Sequence, residues 1–235
     1  MAEHGAVLVE RVVAAVEADS GGELLQFDGW DFADGPWVDE PRRPMPAELL
    51  AEARFPSGRA LPPSLRRWLA FDTGMLRKYG WLSGSYQFTP LTFGAFCIRR
   101  YGEDWGGYFE RAPMAERFTE CFLLPGGADS CRVLVTDYVD EYGEYPVLAL
   151  DVDDVPCATL MYPGFDVFLA HKADMVEMPP RMGYAGLARH PDFAARMATH
   201  AGRCFGGSVE EDCFGARSTD YFCEEADQEK QGGTE

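Results

Sequence analysis

Hydrophobic and polar positions along this chain follow two different periods, and the change of period divides it. In AVLVERVVAAVEADS, residues 6–20, apolar side chains recur at helical spacing. Val7, Val12, Val13 and Val16 share one face and Gly21-Gly22 supplies a stop, so an opening amphipathic helix is predicted. Residues 28–48 lose that periodicity. Pro36, Pro41, Pro44 and Pro46, with Trp30 and Trp37 among them, predict a meandering loop ordered by burial of the indoles and closed by a short helix in PAELLAEAR. In LPPSLRRWLAFDTG, residues 61–74, a proline pair stands at a helix start. Leu65, Trp68 and Leu69 share its face, and Gly74 is read as the terminator.

From Phe118 the apolar residues come in strand-like runs. RFTECFLL, CRVLVTDYV and EYPVLALDV are separated by the glycine-bearing turns LPGGADS and DEYGE, which predicts an antiparallel meander. Upstream, FTPLTFGAFCI suggests one or two further strands. The helical period returns in PGFDVFLAHKADMVEM, residues 163–178, through Phe165, Phe168 and Leu169. It returns again in HPDFAARMATHAGRCFGG, residues 190–207, which stops at a glycine pair. The closing EEADQEKQGGTE has no apolar period. The order of elements predicts an α+β fold, a central and mainly antiparallel sheet flanked by helices. One domain is expected over residues 1–207, with an acidic, flexible tail over 208–235.

Composition adds a core and a charge. In 235 residues, 46% hydrophobic and 13% aromatic side chains are enough to bury a sizeable interior. A formal net charge of -18 repels nucleic acid and anionic membranes and favours encounter with cationic surfaces. Direct nucleic-acid or membrane partners are therefore not expected. No apolar run approaches the roughly 18 residues of a membrane span, and MAEHGAVLVERVV lacks the basic start of a secretory signal, so a cytoplasmic location is expected. Cys97, Cys121, Cys131, Cys157, Cys204, Cys213 and Cys223 are odd in number and widely spread, which predicts reduced thiols.

Motifs for chemistry are sparse. Asp151-x-Asp153-Asp154 begins like a calcium loop, but the sixth position holds Pro156 where glycine is needed and the twelfth holds Tyr162 where glutamate is needed. His200-x-x-x-Cys204, with Cys213 and Cys223, offers soft ligands without the paired cysteines of a zinc knuckle. The sequence contains no Gly-x-Ser-x-Gly, His-Glu-x-x-His, Gly-x-x-x-x-Gly-Lys or Gly-x-Gly-x-x-Gly. A non-catalytic protein without metal or cofactor is therefore expected. The alternatives are an enzyme using Cys97, Cys157, Cys204 or a carboxylate site, and a regulatory scaffold.

The acids are more specific. Between Thr136 and Asp154 lie Asp137, Asp140, Glu141, Glu144, Asp151, Asp153 and Asp154, with no lysine or arginine among them. If the second and third runs pair as a hairpin, Asp140, Glu141 and Glu144 gather at its turn and Asp151, Asp153 and Asp154 at its other end. These residues, with Trp81 and Trp105 in glycine-rich sequence, are the candidate partner-binding set. Each acid is weighed against the simpler role of a solvated turn residue, and Trp68, Phe165 and Phe168 are assigned to the core.

Taken in order, these segments resemble the SUKH superfamily. The likeness rests on Leu61-Pro62-Pro63 leading into a short helix with Trp68-Leu69 and Gly74 after it. It continues through Gly143, Tyr145-Pro146-Val147 and Asp153 to the helix bearing Phe165, Phe168 and Leu169, and spans roughly residues 61–170. Family members usually carry an asparagine and a glycine pair where this chain has Asp72-Thr73-Gly74. The resemblance implies an α+β fold, no catalytic residues, and function as an immunity protein that binds and neutralises a cognate toxin domain. An acidic chain suits occlusion of a basic toxin.

Overall fold

The computed structural model describes residues 3–27, 31, 33–90, 118–126, 130–136, 138–151, 157–179 and 184–212. Four helices come first: α1 (Gly5–Ala18), α2 (Ala47–Glu52), α3 (Pro63–Leu69) and α4 (Gly74–Lys78). The strands β1 (Cys121–Leu124), β2 (Ser130–Val135), β3 (Val147–Asp151) and β4 (Cys157–Tyr162) follow. After them come α5 (Phe165–Lys172), a 3-10 turn (Gly186–Arg189), α6 (Ala194–Cys204) and β5 (Glu210–Asp212). The strands form one five-stranded antiparallel sheet in chain order. The protein is thus an α+β fold.

Helices α1 and α3 form where an apolar stripe can be buried, whereas α2 encloses none of its residues. In α3 the proline start is as expected, and Leu65, Trp68 and Leu69 are fully enclosed. In α1 the buried stripe is Leu8, Val9, Val12 and Val13, whereas Val7 is 53% exposed. The expected face was therefore rotated by about one residue, because valines alone do not mark a stripe that Leu8 completes. Gly74 begins α4 instead of ending α3. α1 packs on α3 and α5, α3 on α5, and both α5 and α6 reach β4.

The meander pairs in one register from Cys121↔Val135 to Leu134↔Val147. Alternate residues of a strand point to opposite faces. Val133, Leu134 and Val135 of β2 and Val147, Leu148, Ala149 and Leu150 of β3 are all buried, so both faces of the sheet are covered. β4 was not anticipated: CATLMY has no polar alternation, because it too lies between two layers. β5 pairs with β4 through Cys157↔Asp212 and Thr159↔Glu210, so the sheet takes in residues beyond the boundary expected at 207. The suggested FTPLTFGAFCI strands, Trp30 and residues 213–235 lie outside the described residues, apart from the first residues of that segment up to Pro90.

The proline-rich loop is ordered by Trp37, which is buried and stacks on Phe168 of α5 at 5.7 Å. Three buried carboxylates tie other loops to the framework. Asp72 accepts the amides of Arg43 at 2.7 Å, Gly74 at 2.6 Å and Asp39 at 3.2 Å. Glu120 accepts Ser57 N–H at 3.0 Å, Ser57 Oγ–H at 2.8 Å and Thr136 Oγ–H at 2.5 Å. Glu144 is the third, described below. An ionisable side chain can be buried this way because amide and hydroxyl donors replace its water.

This packing separates two apolar residues of similar sequence character. Leu65→Ala, in the enclosed stripe of α3, should destabilise the chain by about 2–5 kcal/mol, whereas Val7→Ala should stay within about 0.5 kcal/mol. Equilibrium urea unfolding distinguishes them; equal effects would contradict the assignment of the α1 and α3 faces.

Candidate functional site

The most concentrated polar chemistry lies inside the molecule, where the turn between β2 and β3 meets α5 and α6. Arg196 of α6 is its centre. Its Nη1 and Nη2 donate to Asp166 Oδ2 and Oδ1 at 2.8 and 3.1 Å, a two-pronged pairing that the planar guanidinium favours. Nε donates to Asp140 Oδ2 at 2.5 Å, and Nη2 also reaches the Pro163 carbonyl at 3.3 Å. Arg196, Asp140 and Asp166 are all buried.

Each partner ties down another segment. Asp140 Oδ1 accepts the amides of Tyr142 at 2.9 Å and Glu144 at 3.0 Å, closing the turn on itself. Asp166 Oδ2 accepts the Gly5 amide at 2.7 Å, which docks the start of α1. Glu144 Oε1 accepts the Ser64 amide at 2.9 Å and Oε2 accepts the Ser64 hydroxyl, joining the turn to α3. His4 Nδ1 accepts from Arg196 Nη1 at 3.3 Å, and its ring lies 4.2 Å from that of Tyr142. His200, one helical turn beyond Arg196, sets Nε2 2.9 Å from the Pro163 carbonyl and 3.7 Å from Asp140 Oδ2. A carbonyl only accepts, so Nε2 carries the proton; Nδ1 has no hydrogen-bond partner among the described residues.

Two glycines are needed, Gly164 for space and Gly143 for its backbone. A Cβ on Gly164, just before α5, would lie 2.7 Å from Arg196 Nη2 and 2.8 Å from Glu144 Cβ. Gly143 has φ +75°, a left-handed conformation strained for any residue with a Cβ, although the space beside Pro63 would admit one at 3.5 Å. At Gly164 only glycine fits without displacing the network.

The charges do not balance, and the pKa directions follow. Three carboxyl groups surround one guanidinium. Burial opposes the charge on Arg196, but Asp166 and Asp140 raise its pKa above the usual guanidinium value. Burial alone would raise Asp140; the His200 N–H, Arg196 and the Glu144 amide outweigh it and hold this carboxyl below its ordinary value. Glu144 goes the other way: burial and then the Asp166 charge raise it well above the ordinary glutamate value, against the Ser64 donors and Arg196. Burial and Arg196 lower His4.

The expected partner-binding set is therefore divided. Asp140 and Glu144 are buried and structural, not contact residues, because their oxygens are occupied by backbone amides and Arg196. Trp81 is 1% exposed, packs on Phe122 at 4.7 Å and donates Nε1–H to the Leu123 carbonyl at 2.5 Å, so it anchors the core and not a partner. Glu141 is exposed. Asp151 stands at the far end of β3, opposite Ser130 and Cys157. Asp137, Asp153, Asp154 and Trp105 lie outside the described residues, as do Cys97, Cys213 and Cys223. Among the described residues no His, Cys, Asp and Glu groups are gathered as a metal site, and no helix is long and apolar enough to cross a membrane.

Arg196, His200 and Asp166 were absent from the expected set, yet they leave a trace in the sequence. Arg196 and His200 share the stripe of Met197, Ala201 and Cys204, and Asp166 interrupts a run in which Phe165 to Ala170 is wholly buried. Charged residues on a buried face need partners. That signal predicts a network without naming its members.

No protein-family model matches this chain, and no curated protein matches it. The fold is similar to the crystal structure of an uncharacterized protein from Salmonella enterica subsp. enterica serovar typhimurium str. 14028s. The two share 14% identity and a TM-score of 0.53, with 96% of this chain and 100% of that chain covered. The likeness extends to the α+β fold alone.

Two substitutions test the network. Arg196→Met strands buried carboxylates and should cost about 3–5 kcal/mol, read by urea unfolding. Glu144→Gln tests the pKa direction. A raised folded pKa means that the folded chain keeps a proton the unfolded chain releases, so this group's contribution is present below the ordinary glutamate range and lost as pH rises through the folded pKa. Relative to Glu144→Gln, the wild type should therefore lose stability as pH rises above the ordinary glutamate range. Parallel pH profiles for the two proteins would contradict the assignment.

Proposed function

We propose that the protein is a non-catalytic immunity protein of SUKH type, which binds and neutralises a cognate toxin with a basic surface in the cytoplasm. The observation that carries this reading is that the segments on which the resemblance rests meet through residues adjoining its motifs. Pro63 and the adjoining Ser64 begin α3 against Gly143 and Glu144, immediately before Tyr145-Pro146-Val147. The helix of Phe165 and Phe168 packs on α3 and supplies Asp166 to the same junction. Segments separated by 80 and 161 residues are thus joined by Glu144–Ser64 and Asp166–Gly5 hydrogen bonds.

Charge supports the mode of action. A net charge of -18 accelerates encounter with a cationic protein and disfavours nucleic acid as a direct ligand. Neutralisation then needs only a complex that covers the toxin's working surface. No reacting group on this chain is required.

The test is co-expression with the product of the adjacent gene in the source genome. Growth should be arrested by that product alone and restored by this protein, with a complex that co-purifies. The association rate should fall at least about tenfold between low and near-physiological salt. Absence of both rescue and complex would overturn the reading.

A further inference from the structure

We infer that His4 is an acid-released latch, which holds the start of α1 to the turn between β2 and β3 only while its ring is neutral. A guanidinium has five N–H donors. On Arg196 four of them go to enclosed acceptors: Asp166 Oδ2 and Oδ1 at 2.8 and 3.1 Å, Asp140 Oδ2 at 2.5 Å and the Pro163 carbonyl at 3.3 Å. His4 Nδ1 takes the fifth, from Nη1 at 3.3 Å, and it is the one acceptor of the set on a partly exposed residue.

The latch is shaped around that contact. The His4 ring lies 4.2 Å from the ring of Tyr142 and 5.8 Å, edge to face, from that of Phe193. Next to it Gly5 has φ +59°, which lets the chain turn from extended His4 into α1, and its amide is fixed by Asp166 Oδ2 at 2.7 Å. A ring nitrogen that accepts a hydrogen bond carries no proton. Protonating Nδ1 would set an N–H against an N–H and a second cation beside the guanidinium, so the charged ring has to leave its place. Because His4 covers the fifth donor from the partly exposed side, water can then solvate that donor while the other four stay bound. Opening is thus local. It uncovers the ring of Tyr142 and that of Phe193, which is 3% exposed with the latch closed.

Charges on each neighbouring element set the balance. Arg196 acts on His4 from α6, Asp166 from α5, Asp140 from the turn and Asp192 from the segment before α6. Beside His4 in the chain, Glu3 pairs with Arg11 at 2.9 Å. His190 packs on Phe193 at 4.8 Å, and His200 directs Nε2 to the Pro163 carbonyl. Glu144, whose Oε1 lies 3.6 Å from where a Cβ on Gly5 would be, is pushed toward its neutral form. Burial and then Arg196 lower the His4 pKa below the ordinary imidazole value, against the opposing pull of Asp166, Asp140 and Asp192. A lowered value means that the closed latch binds a proton less readily than the open one. The latch is therefore closed above the ordinary imidazole range and opens as pH falls through the folded value.

The experiment is an NMR titration of the full chain with isotope-labelled histidine, repeated with His4→Asn, which keeps an acceptor near the place of Nδ1 and does not titrate. At the alkaline end the His4 ring of the wild type should show a bare Nδ1 and a protonated Nε2. On acidification the His4 ring, the Tyr142 ring and the Gly5 amide should change with one midpoint, lower than that of histidine in an unfolded peptide, while the methyl signals of Leu65 and Val133 stay native. Corrected for intrinsic exchange, the Gly5 amide should exchange at least about tenfold faster below that step than above it. The shared step should be absent from His4→Asn, and the wild-type titration does not depend on the variant. A proton on Nδ1 at the alkaline end, a His4 step without change at Tyr142 and Gly5, a step that persists in His4→Asn, or loss of the core methyl signals at or before that midpoint would each overturn the inference.

Discussion

The pairing of Arg196 with Asp166 and Asp140 inside the protein is the constraint on which the rest of the structure depends. A guanidinium removed from water is tolerated only if carboxylates and carbonyls replace its hydration, and here Asp166, Asp140 and the Pro163 carbonyl do so. Each replacement is also an anchor. Asp166 holds the start of α1 through Gly5, Asp140 closes the turn between β2 and β3, and Glu144 in that turn holds α3 through Ser64. One buried cation thereby fixes how helices from both ends of the chain meet the sheet.

A buried ionic network of this kind is not a strong source of stability. The desolvation of Arg196 and its partners offsets most of their attraction, and a well-packed apolar cluster could be as stable. What the network supplies is specificity of arrangement: one geometry satisfies the guanidinium, and Gly164 and Gly143 are required to permit it. The excess of carboxyl groups over the single cation explains why Glu144 is pushed toward its protonated form while Asp140, beside Arg196 and His200, is kept ionised. Asp72 and Glu120 repeat the theme without a cation in contact among the hydrogen bonds described above, each gathering amide or hydroxyl donors from a loop. Much of the acidity in these loops therefore serves architecture, while Glu141, beside Asp140, is exposed.

Local pattern made part of this legible. Leu65, Trp68 and Leu69 lie on the buried face of α3, Phe165, Phe168 and Leu169 on that of α5, and the three apolar runs from Phe118 pair as a meander. Those elements follow from periods of 3.6 and 2, which need only neighbouring residues. β4 was missed because CATLMY is buried on both sides and loses its alternation, and the α1 face was misplaced because Val7 resembles the valines that are enclosed. The candidate site was legible only in outline. Acids at a hairpin turn were visible, but their inward orientation depends on Arg196 and Ser64, whose approach to Asp140 and Glu144 spans 56 and 80 residues. No local period carries that information.

The buried charges tie the turn between β2 and β3 to the core through Arg196 and Ser64. Native-state hydrogen exchange of the Gly5, Ser64, Tyr142 and Glu144 amides tests that claim most directly, since each donates to one of the three carboxylates. All four should exchange together, with an opening free energy close to that of global unfolding. If the Tyr142 and Glu144 amides instead exchanged through a separate, low-energy opening of the turn while Gly5 and Ser64 stayed protected, the turn would be a mobile surface loop and the central role of the Arg196 network would be contradicted.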